Sequence, residues 1–142
     1  MPVRLHMALY NTYHAQKNRL RPGMTDIGLS PGQPKILNYL SRRNNCMQKD
    51  IAEALDIEPA TVSRILNNMV EAGLVRRSPP AERKRAESIS VTDKGREAYA
   101  KWLRLCAEME AAAMQGFTRA EQDRFIEYLS RMYHNLSGKV LE

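Results

Sequence analysis

The sequence predicts a mainly α-helical fold that contains one small β-hairpin. Apolar residues recur at three- and four-residue intervals along most of the 142 residues, which is the spacing of helices with one buried face. Two short helical segments follow one another closely in residues 48–67. After them, the period changes to the two-residue alternation of strands, which flank a charged loop. A chain of this length is expected to fold as a single domain, residues 1–142.

The N-terminal segment predicts two helices. The first is expected to span residues 3–20, and its apolar side consists of Leu5, Leu9, Tyr13 and Leu20. The Pro-Gly pair at 22–23 is expected to end it, because both residues disfavour a helix interior. The second helix is expected to start at Ser30, since Ser30 and Gln33 have the spacing of a capping box and Pro31 suits the first helical position.

Residues 48–67 are the most informative segment, because their pattern is typical of a DNA-binding helix-turn-helix. Ile51 and Leu55 lie one helical turn apart and are expected to share a buried face. Val62 and Ile65 would return a second helix to the same core. An ordinary amphipathic helical hairpin would show a similar pattern, so this segment alone leaves both interpretations open.

The turn of this motif has one unusual residue. Asp56 occupies the position that glycine usually takes, and aspartate tolerates the left-handed conformation at small cost. Ile57 is expected to fill the turn from the inside. The second helix is expected to begin with Pro59 and to end at Gly73, which suits a helix C-terminus.

A polar ridge remains on the second helix once its core positions are assigned. Amide, hydroxyl and guanidinium groups on such a ridge can read base edges and bind phosphates in a major groove. The predicted DNA-binding residues of this recognition helix are Ala60, Thr61, Ser63, Arg64 and Asn67. Arg64 and Ser63 are the first candidates, although Arg64 could instead form a solvated ion pair with Glu71. Gln48 and Lys49, at the start of the preceding helix, are predicted phosphate contacts.

The segments 74–78 and 87–91 are predicted strands, and the charged loop between them is the predicted wing of a winged helix-turn-helix. The predicted DNA-binding residues of the wing are Arg83, Lys84 and Arg85. A solvent-exposed loop without a partner is the alternative. The formal net charge is +6 and the pI is about 9.5, and the seven basic and three acidic residues in 75–96 supply +4 of that charge. Charge concentrated beside a helix-turn-helix favours a polyanionic partner.

Two more helices are predicted after the hairpin. Thr92 and Asp93 are expected to cap the first, whose apolar positions are Ala98, Trp102, Leu105 and Met109. Thr118 and Glu121 have the spacing of a capping box for the second. The apolar stripe of this last helix consists of Phe125, Leu129, Met132, Leu136 and Val140.

The terminal helices exceed what a compact winged helix requires. Apolar stripes that the monomer leaves uncovered need a partner, and a two-fold homodimer would also pair two recognition helices for a palindromic site. In this interpretation, residues 30–95 form the winged helix-turn-helix DNA-binding lobe. Residues 1–22 and 96–142 form the N- and C-terminal dimerisation helices.

With these motifs, nearly the whole chain resembles the MarR family of bacterial transcription regulators. The most specific matches are the segments 28–33, 61–64, 71–77 and 91–95. The resemblance implies a winged-helix homodimer that is joined through its terminal helices. It also implies binding to pseudo-palindromic duplexes, repression of nearby genes, and release by small anionic or phenolic ligands or by cysteine oxidation.

The wing departs from the family pattern of an acidic residue, an arginine two places later, and then Leu-Thr. Arg85 stands at the arginine position, and the resemblance implies that it enters the minor groove, where arginine suits narrow A·T tracts. The acidic position carries Arg83, and Glu82 lies one place away. Either Glu82 braces the wing arginine or the wing is looser and more basic. Val91 replaces the leucine, a change without consequence.

A candidate effector pocket would lie between the dimer helices and the DNA-binding lobe. Its candidate residues are Tyr10, Tyr13, His14, Trp102 and Met109, although aromatic residues at helical spacing are more often core. His6, His14 and His134 lack the spacing of a metal site and are expected in the core or at the dimer interface. Neither a metal nor another cofactor is expected. Cys106 is expected to be buried, and Cys46 to be exposed in a turn, where a redox switch is conceivable.

The sequence therefore predicts a sequence-specific, DNA-binding transcriptional regulator. It is expected to be a homodimeric repressor that a small aromatic or anionic effector releases. An enzyme is disfavoured, because no phosphate-binding glycine loop, nucleophile elbow or metal-ligand cluster is present. A non-specific architectural DNA-binding protein and a winged-helix module for protein contacts are the alternatives. With no signal peptide and no apolar run of the roughly 20 residues of a membrane span, a cytoplasmic protein with reduced cysteines is expected.

Overall fold

The computed structural model describes residues 1–79 and 87–142, and it confirms the predicted fold class. The elements in chain order are α1 (Leu5–Ile27), α2 (Gln33–Arg42), β1 (Cys46–Met47), α3 (Gln48–Leu55), α4 (Pro59–Glu71), β2 (Val75–Ser78), β3 (Ser88–Val91), α5 (Asp93–Ala113) and α6 (Arg119–Ser137). The chain divides into two compact units, Met1–Ala107 and Glu108–Glu142. Within the described residues, no helix is long and apolar enough to cross a membrane.

Helix α1 is longer than predicted, since it continues through Pro22 and ends at Gly28. Gly28 adopts the left-handed conformation with φ of 90°, and its N–H donates to the carbonyl of Thr25 at 2.9 Å. Leu20 is buried, and the last turn packs Met24 and Ile27 against the core. The prediction was wrong because the burial of these apolar side chains outweighs the hydrogen bond that Pro22 cannot donate.

Helix α2 begins at Gln33, and the prediction that Ser30 is its N-cap was wrong. Gly32 precedes the helix with φ of 88°, a left-handed conformation that cannot belong to a right-handed helical turn. One half of the capping box is nevertheless present, because the Ser30 N–H donates to Gln33 Oε1 at 2.9 Å. A Cβ on Gly32 would lie 2.9 Å from Cδ1 of Ile65, so the turn packs closely against α4.

The core lies in the first unit, between α2, α3, α4 and the small sheet. Its largest fully buried side chains are Ile36, Leu37, Leu40, Ile51, Val62, Leu66, Met69 and Ile89. The helix-turn-helix core prediction is confirmed, since Ile51, Ala52, Val62 and Ile65 are buried. Leu55 and Ile57 are partly buried and pack against the same cluster.

The sheet has three antiparallel strands in the order β1-β3-β2. The predicted hairpin is confirmed, with Val75 opposite Val91 and Ser78 opposite Ser88. The edge strand β1 was not predicted, because two residues are too short to show a period. Since β3 lies between two strands, Ser90 is buried together with its neighbours Ile89 and Val91.

Both cysteines differ from the prediction. Cys46 lies on β1 opposite Ile89 and is 9% exposed, so its predicted exposure in a turn was wrong. Pairing of β1 with β3 draws Cys46 into the sheet. Cys106 is half-buried on α5 rather than fully buried. Because oxidants attack accessible thiolates, the burial of Cys46 removes the exposure on which a redox role would depend.

A short junction joins the end of α4 to the start of α5. The Thr92 hydroxyl donates to the Gly73 carbonyl at 2.5 Å and accepts the Gly95 N–H at 3.1 Å, which confirms Thr92 as a helix cap. Lys94 Nζ donates to the Ala72 carbonyl at 2.6 Å, where a cation also interacts favourably with the negative end of α4. Gly95 is buried in this junction. The junction thus holds the C-terminal end of α4 against α5.

In the second unit, α6 begins at the predicted capping box. The Glu121 N–H donates to Thr118 Oγ1 at 3.1 Å, which confirms the cap. The structure describes every residue of α6, and none of them is buried. The apolar side chains Phe125, Leu136 and Val140 are exposed, and Leu136 retains 77% of its accessible surface. The predicted stripe is thus exposed only in part, because Leu129 and Met132 are half-buried, and the prediction that Val140 belongs to this helix was wrong, since α6 ends at Ser137.

Gly95 packs directly against the backbone of Leu74 at the junction, so adding a side chain there is expected to lower stability. A Cβ on Gly95 would lie 2.1 Å from the Leu74 carbonyl oxygen, which is backbone and cannot rotate away. We expect Gly95→Ala to lower the free energy of unfolding by about 3 kcal/mol, as overpacking does in a tight core. Urea denaturation measures this value.

Gly23→Ala is the matched control, since it makes the same change inside a helix. Its Cβ would meet Cδ2 of Leu105 at 2.6 Å, but that side chain can move. The gain in helix propensity, roughly 1 kcal/mol, would offset part of the crowding. Equal losses of unfolding free energy in the two variants would show that the contact between residue 95 and the Leu74 carbonyl does not require glycine.

Candidate nucleic-acid interface

Helix α4 has one buried side and one exposed side, and the exposed side carries the candidate residues. Val62, Ile65, Leu66 and Met69 face the core. Ala60, Arg64 and Asn67 are exposed and follow the spacing of four and three residues that aligns side chains along one face of a helix. Thr61 and Ser63 are half-buried and flank this stripe. All five predicted residues thus lie on the exposed side of α4 or along its edges.

The turn before α4 sets the direction of that helix. Asp56 adopts φ of 52° and ψ of 46°, which confirms that it takes the left-handed conformation usually given to glycine. The Ile57 N–H donates to the Ala52 carbonyl at 3.1 Å and closes the end of α3. Pro59 then occupies the start of α4, where its missing N–H leaves no helical bond unmade.

The Arg64 side chain is exposed in the middle of the stripe. Among residues 1–79 and 87–142, it forms no ion pair, so the alternative pairing with Glu71 is absent from the described part of the chain. A guanidinium carries five donors and a permanent positive charge. Arg64 can therefore offer its whole fork to a guanine edge or to a phosphate.

The N-terminal end of α3 carries the other predicted contacts. Gln48 is half-buried and Lys49 is exposed in the first turn. No serine or threonine stands at the cap, but the Met47 N–H donates to Asp50 Oδ2 at 2.9 Å and is satisfied in that way. Backbone N–H groups at the start of a helix, together with a lysine, form a suitable environment for a phosphate.

Arg77 on β2 contacts three side chains from other parts of the chain, and the sequence analysis did not identify it. Its Nη2 donates to Asn67 Oδ1 at 2.9 Å and its Nη1 to Gln48 Oε1 at 3.2 Å. Nη1 also lies 3.4 Å from Oε2 of Glu87. Strand alternation could have suggested this, because Arg77 shares the side of β2 with the buried Val75. The identity of its partners required the tertiary structure.

The remaining basic residues of the 75–96 segment are dispersed. Arg96 pairs with Asp93 at 2.9 Å, and Lys94 is bound to the end of α4. Arg76 is exposed on the other side of β2. The predicted wing residues lie outside the described residues, as does the candidate brace; these are Arg83, Lys84, Arg85 and Glu82. Three of the four described basic residues in this segment thus bind other groups of the chain, namely Arg77, Lys94 and Arg96.

The candidate effector residues are not gathered into one cluster in the first unit. Tyr10 stacks on His14 with ring centroids 5.4 Å apart, and both side chains are exposed. Tyr13 is also exposed, at 60% of its surface, whereas Trp102 packs against the core. Met109 is buried and belongs to the second unit. The pocket stays a prediction.

The histidines do not enter the core. His6, His14 and His134 are all exposed, so the prediction of core histidines was wrong, and the dimer-interface alternative stays a prediction. His134 Nδ1 lies 3.3 Å from the Lys139 carbonyl at the end of α6. In the described part of the chain, no group of three or more histidine, cysteine and acidic side chains is placed to hold a metal ion.

Comparison with known proteins identifies relatives of the same architecture. Residues 27–86 match the model of the MarR family. The chain is 24% identical to the HTH-type transcriptional repressor YetL of Bacillus subtilis (strain 168) over 137 residues, which cover 95% of this chain and 82% of that protein.

Solved structures extend the similarity to almost the whole chain. The transcriptional regulator PA3341 has a TM-score of 0.81 and 28% identity, over 96% of this chain and 100% of its own. A putative MarR family transcriptional regulator from Listeria monocytogenes, solved with a 26mer DNA, has a TM-score of 0.85 and 21% identity, over 95% and 90% of the two chains. The winged-helix fold, including the terminal helices, is shared with these proteins.

Proposed function

We propose that this chain is a sequence-specific DNA-binding regulator of the MarR family, whose model matches residues 27–86, and that it represses transcription as a homodimer. The observation that carries this proposal is the exposed polar stripe of α4, centred on the guanidinium of Arg64, which forms no ion pair with any described residue. An exposed helix with such side chains fits a major groove, and its core packing fixes the direction in which they point.

Charge and relatives support a DNA partner. The net charge of +6 suits a polyanion, and DNA binding releases counterions from each neutralised phosphate. The structure from Listeria monocytogenes contains DNA, and YetL is named a repressor. The wing, with Arg83, Lys84 and Arg85, would add contacts in the adjacent minor groove.

Individual roles follow from side-chain chemistry and position. Arg64 and Ser63 would contact base edges or phosphates, and Ala60 and Thr61 lie where a thymine methyl group could be reached. Lys49 and the amide groups of Gln48 and Asn67 would contact the sugar-phosphate backbone. In this proposal, residues 30–95 form the DNA-binding lobe.

Exposed apolar residues on α1 and α6 support the homodimer. Most of α1 is exposed from Leu5 to Arg19, and α6 has no buried residue among those described. Large apolar surfaces on both helices, including Tyr13 and Leu136, would be covered by a second copy. Residues 1–22 and 96–142 would supply this interface, and a two-fold axis would place two α4 helices in successive major grooves.

Release by a small effector would require a state that does not fit DNA. A ligand that binds more tightly to a dimer with a different spacing of the two lobes would shift the population toward that spacing. Tyr10, Tyr13, His14 and Trp102 are the residues of the first unit that we assign to such a site, with a small aromatic or anionic molecule as its ligand.

Selection of bound duplexes from a randomised DNA pool, at two salt concentrations, tests the function directly. We expect an inverted repeat that persists at the higher salt, with half-sites about one helical turn apart. Tight binding at low salt without an enriched sequence would instead indicate a non-specific architectural protein, because phosphate contacts alone carry no sequence information.

The homodimer predicts a particle of twice the chain mass of 16.3 kDa in sedimentation equilibrium. Leu136→Glu should shift the distribution toward the monomer, because the exposed apolar side chain would become charged at the interface. Arg131→Glu is the control, since Arg131 is exposed and lies on the side of α6 away from Leu136. A wild-type chain that sediments as a monomer at micromolar concentration would contradict the proposed interface.

Arg64→Ala is expected to weaken binding to the selected duplex by about 1–3 kcal/mol and to relax its base preference. Titration of the selected duplex and of point-substituted duplexes measures both effects. Arg104→Ala removes another exposed positive charge, on α5, and serves as the control. If Arg64→Ala weakens all duplexes equally, Arg64 binds a phosphate rather than a base.

A further inference from the structure

The guanidinium of Arg77 joins three elements that are far apart in sequence. It donates to Gln48 at the start of α3 and to Asn67 on the exposed side of α4. Glu87, just before β3, lies on the same guanidinium at 3.4 Å. The Arg77 side chain is 23% exposed, so it is held largely within the surface that it organises. Both amides that it binds belong to the proposed DNA contacts.

The chemistry of these bonds determines which end of each amide remains free. Arginine has donors and no acceptor, so it binds the oxygen of an amide and not the nitrogen. Oε1 of Gln48 and Oδ1 of Asn67 are therefore both directed to Arg77. The NH₂ group of each amide is left to donate elsewhere. Phosphate oxygens are acceptors without donors, which makes them the matching partners for these groups.

We infer that Arg77 is a positioning residue, which holds the amides of Gln48 and Asn67 so that their NH₂ groups face the DNA backbone. This inference rests on the proposed DNA-binding function and adds a residue that the proposed contacts do not contain. Arg77 acts through its two partners, and Glu87 neutralises part of its charge. The ordering of the two amides takes place on folding, so it does not have to take place on binding.

The geometry requires arginine rather than lysine. The planar fork reaches Asn67 with one terminal nitrogen and Gln48 with the other, at fixed separation. A lysine keeps the charge but is a single point donor on a flexible stem. Arg77→Lys therefore separates positioning from charge. A direct phosphate contact by Arg77 would depend mainly on the charge, which this substitution preserves.

A double-mutant cycle tests the inference with the duplex recovered by selection. Arg77→Lys should raise Kd roughly tenfold, as is typical for residues of one hydrogen-bond network. In the Asn67→Ala background, the same substitution should raise Kd by less than about threefold, because one of its two partners is already gone. Arg76→Lys is the matched control on the outward side of β2, and it should leave Kd within about twofold of wild type. Additive effects of Arg77→Lys and Asn67→Ala would overturn the inference.

Two further measurements keep the test independent of stability and of function. Thermal unfolding identifies any variant that binds poorly because it unfolds.

Asn67→Ala and Gln48→Ala remove side chains outside the core, and unchanged Kd in both would also overturn the inference. In the free protein, Arg77→Lys should shift the side-chain NH₂ resonances of Gln48 and Asn67 in nitrogen-15 NMR spectra, and unshifted resonances would overturn it. Failure of the wild-type chain to bind any duplex would instead refute the proposed function, on which the inference rests.

Discussion

The packing of α4 against the core is the constraint on which the candidate site depends. Val62, Leu66 and Met69 are fully buried, and a rotation of α4 by one residue position would bring them toward solvent. Burial of each such side chain contributes about 1.5–3 kcal/mol, so the helix has one favourable rotational setting. Arg64 and Asn67 consequently point outward, because the buried side chains on the opposite side of α4 fix the rotation of the helix.

The position of α4 along its axis is fixed by its two ends. At the start, the left-handed Asp56 turns the chain out of α3. At the end, Lys94 and the Thr92 hydroxyl donate to the carbonyls of Ala72 and Gly73, which directly follow α4. Gly95 lets α5 approach the Leu74 carbonyl more closely than any side chain would permit. The Thr-Asp-Lys-Gly segment at residues 92–95 therefore holds the C-terminal end of α4 from outside the helix-turn-helix.

Local period and turn chemistry were sufficient to predict α4, the hairpin and both caps of the C-terminal helices. They failed at the start of α2, where the left-handed Gly32 separates Ser30 from the helix, and where a distant contact decided the outcome. Pro22 ought to end α1, but the core beneath Met24 and Ile27 extends the helix. Cys46 ought to be exposed, but pairing with Ile89 buries it. Arg77 shows the same limit at the candidate site, because its partners Gln48 and Asn67 are 29 and 10 residues away in sequence.

The candidate surface combines groups that are already ordered with one that is free. The amides of Gln48 and Asn67 are oriented by Arg77, whereas the guanidinium of Arg64 has no ion-pair partner among the described residues. Immobilising a long side chain on binding costs about 0.5–1.5 kcal/mol, and in the proposed complex with DNA this cost would fall on Arg64 but not on the two amides. Phosphates occur at every base step, so contacts to them suit fixed donors. A base edge differs from site to site, and an exposed guanidinium that no described residue binds could adjust to it. The division between fixed amides and a free arginine therefore matches the division between positioning and sequence reading in DNA recognition.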